Sequence, residues 1–248
     1  MEVLWQKLCY YRHNLSMKNL RNIRNQFDFF LRSHITVGKS VPPNAPIPKL
    51  DANFQKESVE FFDMFSWKSH LARFEEEDSI RVVDIGARNF ALAPVIENLF
   101  ETYGFDSEIH GIELDAYRRL VNFRTRKNYG DFYASKIRNG EYRVMDFLDW
   151  QTPFHFAFLL NPFVTELPVL AWGLPLSKLK PEDIFSHLYG LLKPENGLAL
   201  ISSPSEDEFE IVKRLSLETG FRIREEQTWF AHGKSVQKQS RHGIVVSV

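Results

Sequence analysis

A chain of 248 residues with 44% hydrophobic and 25% charged side chains can bury an ordinary core as one large domain or one domain with an extension, which excludes global disorder and a repeat array. The 31 Lys or Arg against 32 Asp or Glu leave a formal net charge of -1, so any bias toward nucleic acid or an anionic membrane must be local. A single cysteine, Cys9, excludes an internal disulfide framework and a cysteine-based zinc site, and it fits a reducing compartment, the cytoplasm.

The opening stretch MEVLWQKLCYYRHNL interrupts every short apolar run with Gln, Lys or Arg and so lacks the apolar core of a signal peptide. Leu20, Ile23, Phe27, Phe30 and Leu31 recur at helical spacing, with Arg21, Arg24 and Arg32 elsewhere on the wheel, which predicts an amphipathic helix over 15–34. Eight Lys or Arg against two acids make residues 1–50 net +6, leaving 51–248 at net -7. The helix is expected to cover the sheet domain with its apolar face and leave its charge outward. A nucleic-acid contact is the less favoured reading, because no Lys/Arg cluster is interleaved with aromatics, and no membrane partner is expected. The Pro-rich run SVPPNAPIP, 40–48, reads as an extended connector, and a second helix is expected over 58–74. Residues 1–75 are thus expected to form a helical extension and 76–248 the main domain.

From residue 80 apolar runs alternate with helix-like segments. Strands are expected at 80–85, 108–113, 142–145, 156–160 and 197–202, with helices over 91–103, 116–127, 181–192 and 206–219. Two final strands, 221–228 and 243–248, have no helix between them and predict an antiparallel hairpin at the sheet edge or inserted within it. The fold class is α/β: a doubly wound, mostly parallel seven-stranded sheet with an antiparallel last strand. The most apolar segment, 154–176, contains His155, Asn161, Glu166 and three prolines, so it reads as a buried strand and an apolar loop and cannot be a membrane helix.

Ligands of open α/β sheets bind beyond the carboxyl ends of the strands, so the strand tips are the residues that matter. The first strand ends RVVDIGARNF, placing Asp84 at the tip and Gly86 in the turn. The second ends HGIELDAY with Glu113 at its tip, where a carboxylate can accept the hydroxyls of a ribose. The third ends YRVMDFLDW, which sets Asp146 where an adenine amino group could be held, and the fourth ends FLLNPFV. A nicotinamide dinucleotide needs a glycine-rich cradle for its pyrophosphate. Gly86 alone, followed by Arg88, Asn89 and Phe90, favours an adenosine-type cofactor without a diphosphate.

The order of these tips over 80–248 resembles the class I S-adenosylmethionine-dependent methyltransferases. The resemblance implies S-adenosylmethionine as cofactor and S-adenosylhomocysteine as product. It implies that Asp84 orients the methionine amino group, that the backbone at Gly86, Ala87 and Arg88 passes the methionine part, that Glu113 with Leu114 takes the ribose, and that Asp146 with the Phe147 N–H meets the adenine. LLKPENGLALISS, 191–203, resembles the family's entry into its fifth strand. Arg88 and Phe90 stand where the family often has glycine, and Arg88 is a candidate partner for the cofactor carboxylate.

Asn161-Pro162-Phe163 is similar to the Asn/Asp-Pro-Pro-aromatic tetrapeptide of amino-methylating enzymes but lacks the second proline. Asn161 is the candidate for acceptor positioning, with Pro162, Phe163 and Trp172 as candidate lining of the acceptor pocket. His155 reads as structural, and His187, His232 and His242 lack convincing metal spacing. The expected activity is methyl transfer to an O or N nucleophile of an unidentified acceptor, small or macromolecular. The competing reading is a non-catalytic or regulatory nucleoside-binding module with a basic N-terminal partner helix.

Overall fold

The computed structural model describes residues 2–34, 40–120, 122–193, 196–230 and 240–248, with side chains from residue 17 onward. The strands are β1 (Ile80–Ile85), β2 (Ser107–Glu113), β3 (Gly140–Val144), β4 (Phe156–Leu160), β5 (Leu198–Ser203), β6 (Arg222–Phe230) and β7 (Ser240–Ser247), of which β4 is an uninterrupted apolar run. They form one sheet in the order β3-β2-β1-β4-β5-β7-β6. β1 to β5 pair in parallel, and β7 inserts between β5 and β6, antiparallel to both. Every residue of β5 is buried, as expected of a central parallel strand covered on two faces, whereas the edge strand β6 alternates in exposure.

The helices are α1 (Glu2–His34), α2 (Lys49–Phe62), α3 (Trp67–Leu71), α4 (Ala93–Thr102), α5 (Arg126–Ala134), α6 (Glu166–Ala171), α7 (Pro181–Leu191) and α8 (Glu206–Thr219). Among the described residues none is long and apolar enough to cross a membrane. By contacts the chain divides into a larger unit, Val37–Pro162 with Pro181–Val248, and a smaller one, Met1–Thr36 with Phe163–Lys180. The division therefore does not fall at residue 75, and α2 and α3 belong with the sheet.

Aromatic packing explains that membership. The Phe62 ring lies 5.3 Å from Phe158 and the Trp67 ring 5.8 Å from Phe156, both on β4, while Phe100 of α4 reaches Phe156 at 5.5 Å. These rings are fully or almost fully buried, and each such side chain removes some 150–250 Å² of surface from water.

In the smaller unit, α1 holds the 163–180 segment with a polar face. Asn25 is buried and its Nδ2 donates to the carbonyls of Leu170 and Leu174, each at 3.0 Å. Asn22 Oδ1 accepts the Leu176 N–H at 2.8 Å, Arg32 donates to the Gly173 carbonyl at 2.8 Å, and Lys18 pairs with Glu166. The stripe expected to be covered is instead outward: Leu20, Ile23, Phe27 and Phe30 are 56–63% exposed. One buried amide with two carbonyl partners, Asn25, fixes the helix more specifically than its apolar stripe does, and that specificity is not visible in the hydrophobic pattern.

Two helix limits also differ from expectation. α2 begins directly after Pro48 rather than at 58, with Asp51 in its first turn, and it breaks at 63–66 before α3 and a 3-10 turn over Ala72–Phe74. The helix expected over 116–127 is displaced to α5. Around 115–120 and 122–125 the chain makes an Arg118 N–H bond to the Asp115 carbonyl and an Arg119–Thr125 bridge. Thr125 then caps α5: its side chain accepts the Asn128 N–H while Asn128 Oδ1 accepts the Thr125 N–H, a reciprocal box that fixes the helix start. Thr125→Ala is expected to lower stability by about 1 kcal/mol, measured by urea denaturation with an unchanged slope.

Candidate functional site

The strand order reverses between β1 and β4, so the crevice of the sheet opens over the loops that follow those two strands. In the loop after β1, alternate residues take the left-handed backbone conformation: Gly86 at φ +73°, Arg88 at +55° and Phe90 at +61°. For Arg and Phe this costs on the order of 1–3 kcal/mol each and persists only where the surroundings dictate it.

The surroundings do so atom by atom. Gly86 and Ala87 donate their N–H groups to the Ile112 carbonyl at 2.9 and 3.0 Å, and the Arg88 N–H donates to Glu113 Oε2 at 2.8 Å. The Arg88 carbonyl accepts the Tyr142 hydroxyl. From α2, Asp51 accepts both Asn89 Nδ2 bonds, at 3.0 and 2.9 Å, and the Tyr133 hydroxyl at 2.8 Å, while Gln55 donates to the Ala91 carbonyl at 2.6 Å.

The bulky side chains of the loop leave its outer surface. Phe90 is fully buried and lies over Gly111 of β2, where an added Cβ would stand 2.5 Å from the ring. The Arg88 guanidinium lies 5.4 Å from the centroid of Phe54, a ring that Arg241 also approaches at 5.6 Å. Around Gly86 the position of a Cβ is open space.

Two carboxylates are buried behind this loop. Glu113 Oε1 accepts the Asp115 N–H at 2.7 Å and faces Arg126 Nη1 at 3.3 Å, while Oε2 accepts Arg88. Arg126 also lies 3.9 Å from Asp115, which pairs with Arg118 at 2.6 Å. Burial raises the Glu113 carboxyl above the usual range, with Arg126 and the two N–H donors working against it. Asp84, on the adjacent strand tip, is pushed up to about 7 by burial and then by the Glu113 charge, with Arg88 opposing.

Asp146 follows β3 beside Glu113, whose carbonyl accepts the Met145 N–H at 3.3 Å, and its Oδ1 accepts the Leu148 N–H at 3.3 Å. Phe147 is buried, its ring 5.0 Å from that of His187, and Leu114 is half-buried after the β2 tip. Asn161 is exposed just past β4 at φ +56°, its N–H donated to the Ser202 carbonyl at 2.8 Å, with half-buried Pro162 next. Ile85 pairs with Leu159, so Asn161 and Gly86 follow neighbouring strand ends across the switch point. Phe163 and Trp172 fall in the smaller unit, their ring centroids 6.2 Å apart.

The structure thus brings Asp84, Gly86, Ala87, Arg88, Glu113 and Asp146 along one edge of β1–β3. It adds Asp51, Arg126 and Tyr142, which the strand-tip reading does not reach. The capping box at Thr125 is the one sequence signal that points toward Arg126, as the first residue of a helix. His155 accepts the Arg81 N–H through Nδ1 at 2.8 Å, His187 bonds the Trp150 carbonyl, and His242 lies between Thr228 and Ser240. His232 lies outside the described residues.

Neither a protein-family model nor a curated protein matches the sequence. Many solved structures match the fold. A magnesium protoporphyrin IX methyltransferase from Synechocystis, solved with bound S-adenosylmethionine, is 13% identical with a TM-score of 0.51, the match covering 92% of this chain and 95% of that one. A protein named as a candidate RNA methyltransferase from Pyrococcus horikoshii is also 13% identical at a TM-score of 0.51, over 88% and 96% of the two chains. The fold is that of the class I methyltransferases.

A carboxyl whose folded value is raised binds its proton more tightly in the native than in the unfolded chain. Stability contributed by Asp84 is therefore highest below about pH 4 and is lost as pH rises toward about 7, a span worth on the order of 4 kcal/mol. Asp84→Asn is expected to stabilise the ligand-free protein above pH 7 and flatten this dependence, as measured by thermal denaturation across pH. Gly111→Ala is expected to cost roughly 1–3 kcal/mol by driving a methyl group into the Phe90 ring, read from the same melts.

Proposed function

We propose that the protein is an S-adenosylmethionine-dependent methyltransferase acting on an O or N nucleophile. The observation that carries this reading is the pair of adjacent buried carboxylates, Asp84 and Glu113, behind a strained loop at the switch point. Such a site gains from a cationic ligand, and S-adenosylmethionine carries positive charge on both its ammonium and its sulfonium. The cofactor in the Synechocystis enzyme of the same fold supports the choice.

The residues fit that group. Asp84 would accept from the ammonium, and the open space at Gly86 would take the methionine part as it passes the backbone of Ala87 and Arg88. Three of the roughly four lone-pair sites of Glu113 are taken by Arg88, Asp115 and Arg126, which leaves one, on Oε2, for a single ribose hydroxyl. Asp146 and the Phe147 N–H would meet the adenine edge, with Leu114 beside the β2 tip. The Arg88 guanidinium would have to leave the Phe54 ring to meet the cofactor carboxylate.

When bound, the cofactor supplies a methyl group already activated by its sulfonium leaving group. The protein then has to position the nucleophile in line and exclude water. Asn161, beyond β4 and across from Gly86, is the group that would orient the acceptor through its side-chain amide. Pro162 limits the backbone beside it.

Calorimetric titration tests the reading. Micromolar binding of S-adenosylmethionine and S-adenosylhomocysteine is expected, weakened by roughly tenfold to a hundredfold in Asp84→Asn, the 1.5–3 kcal/mol of a charged hydrogen bond. Absence of binding of either ligand to the unaltered protein overturns it.

A further inference from the structure

We propose that α1 seats the protein on an anionic membrane surface through its outward apolar face. This inference is independent of the methyltransferase reading.

The two faces of α1 have separate duties. Lys18, Asn22, Asn25, Phe29 and Arg32 recur at 3.6-residue spacing on the side that holds the 163–180 segment, where Asn22, Asn25 and Arg32 make hydrogen bonds, Lys18 pairs with Glu166 and Phe29 lies under Lys178. Leu20, Ile23, Phe27, Phe30 and Leu31 fall on the opposite side. Four of them are 56–63% exposed and Leu31 is 37% exposed. A continuous exposed stripe of this kind marks an interaction surface, unlike scattered single apolar residues.

The charge of this unit selects the occupant. Lys18, Arg21, Arg24, Arg32, Lys178 and Lys180 stand against Asp28 and Glu166 in residues 17–34 and 163–180. Arg21 and Arg24 border the apolar stripe, Arg24 lying 3.5 Å from Asp28 with its side chain 81% exposed. A second copy of the helix would bring the same positive charge against itself. An anionic lipid surface satisfies both features, taking the Leu, Ile and Phe side chains at the boundary of headgroups and acyl chains and the guanidinium groups among the phosphates. The helix is not apolar enough to cross a membrane, so it would lie in the surface plane.

Vesicle co-sedimentation of the full chain tests this. With vesicles of phosphatidylcholine and phosphatidylglycerol in equal weight, binding is expected about tenfold or more above that to phosphatidylcholine alone. The double substitution Phe27→Asp with Phe30→Asp is expected to abolish it while leaving the melting temperature unchanged, since both side chains are exposed and the polar face is intact. Equal binding to both vesicles, or none to either, overturns the proposal. A dimer seen by light scattering without lipid, dissolved by the same substitutions, would also overturn it and assign the face to a second copy.

Discussion

Glu113 joins three elements through one carboxylate: Oε2 takes the Arg88 N–H of the loop after β1, and Oε1 takes the Asp115 N–H of the turn after β2 and the Arg126 guanidinium at the start of α5. A buried anion is tolerated only when its lone pairs are met, so these partners are a condition of its burial. The same condition fixes the path of the loop. With Arg88 N–H committed to Glu113 and Arg88 carbonyl to Tyr142, the backbone between them has little choice but to turn left-handed at a residue that does not prefer it. Asp84 then sits beside a charge that cannot move away. Burial is the main cause of its raised pKa, and the Glu113 charge adds to it.

The loop shows how a glycine requirement can be met elsewhere in the sheet. Glycines at a turn of this shape remove both the backbone penalty and the side-chain bulk. Here the backbone penalty remains at Arg88 and Phe90, offset by hydrogen bonds from Glu113, Tyr142, Asp51 and Gln55. The bulk is removed by a glycine on the neighbouring strand, Gly111, whose missing side chain makes room for the Phe90 ring. The replacement therefore tightens the interior without filling the outer surface over Gly86.

This exchange also explains what could be read from the sequence. The strands were legible because parallel strands buried on both faces leave apolar runs such as Phe156–Leu160 and Leu198–Ser203, and the acids Asp84 and Glu113 end two of them. Phe90, read within its own loop, looks like an obstruction; only the register that sets Gly111 beneath it shows the contrary. Arg126, Tyr142 and Asp51 reach the site from other elements, and nothing in their local spacing announces it. The misplacement of α5 has the same root. Apolar spacing over 116–127 suits a helix, but the Thr125–Asn128 box and the left-handed Phe123 decide where the helix can begin.

The segment before the sheet illustrates the limit of amphipathic patterning most clearly. A hydrophobic stripe says that a helix has an apolar face, but not which face the fold uses. In α2 the two coincide: Phe61 and Phe62 enter the core while Asp51 and Gln55 brace the loop after β1. In α1 they separate, because Asn22, Asn25 and Arg32 find backbone carbonyls and an N–H that need partners, and a satisfied buried amide outweighs a stripe that remains in water. The Pro-rich connector at 40–48 lies between these helices, so one contiguous stretch of sequence serves two compact units. The first contributes an outward apolar face and the second the outer support of the loop over Asp84 and Glu113.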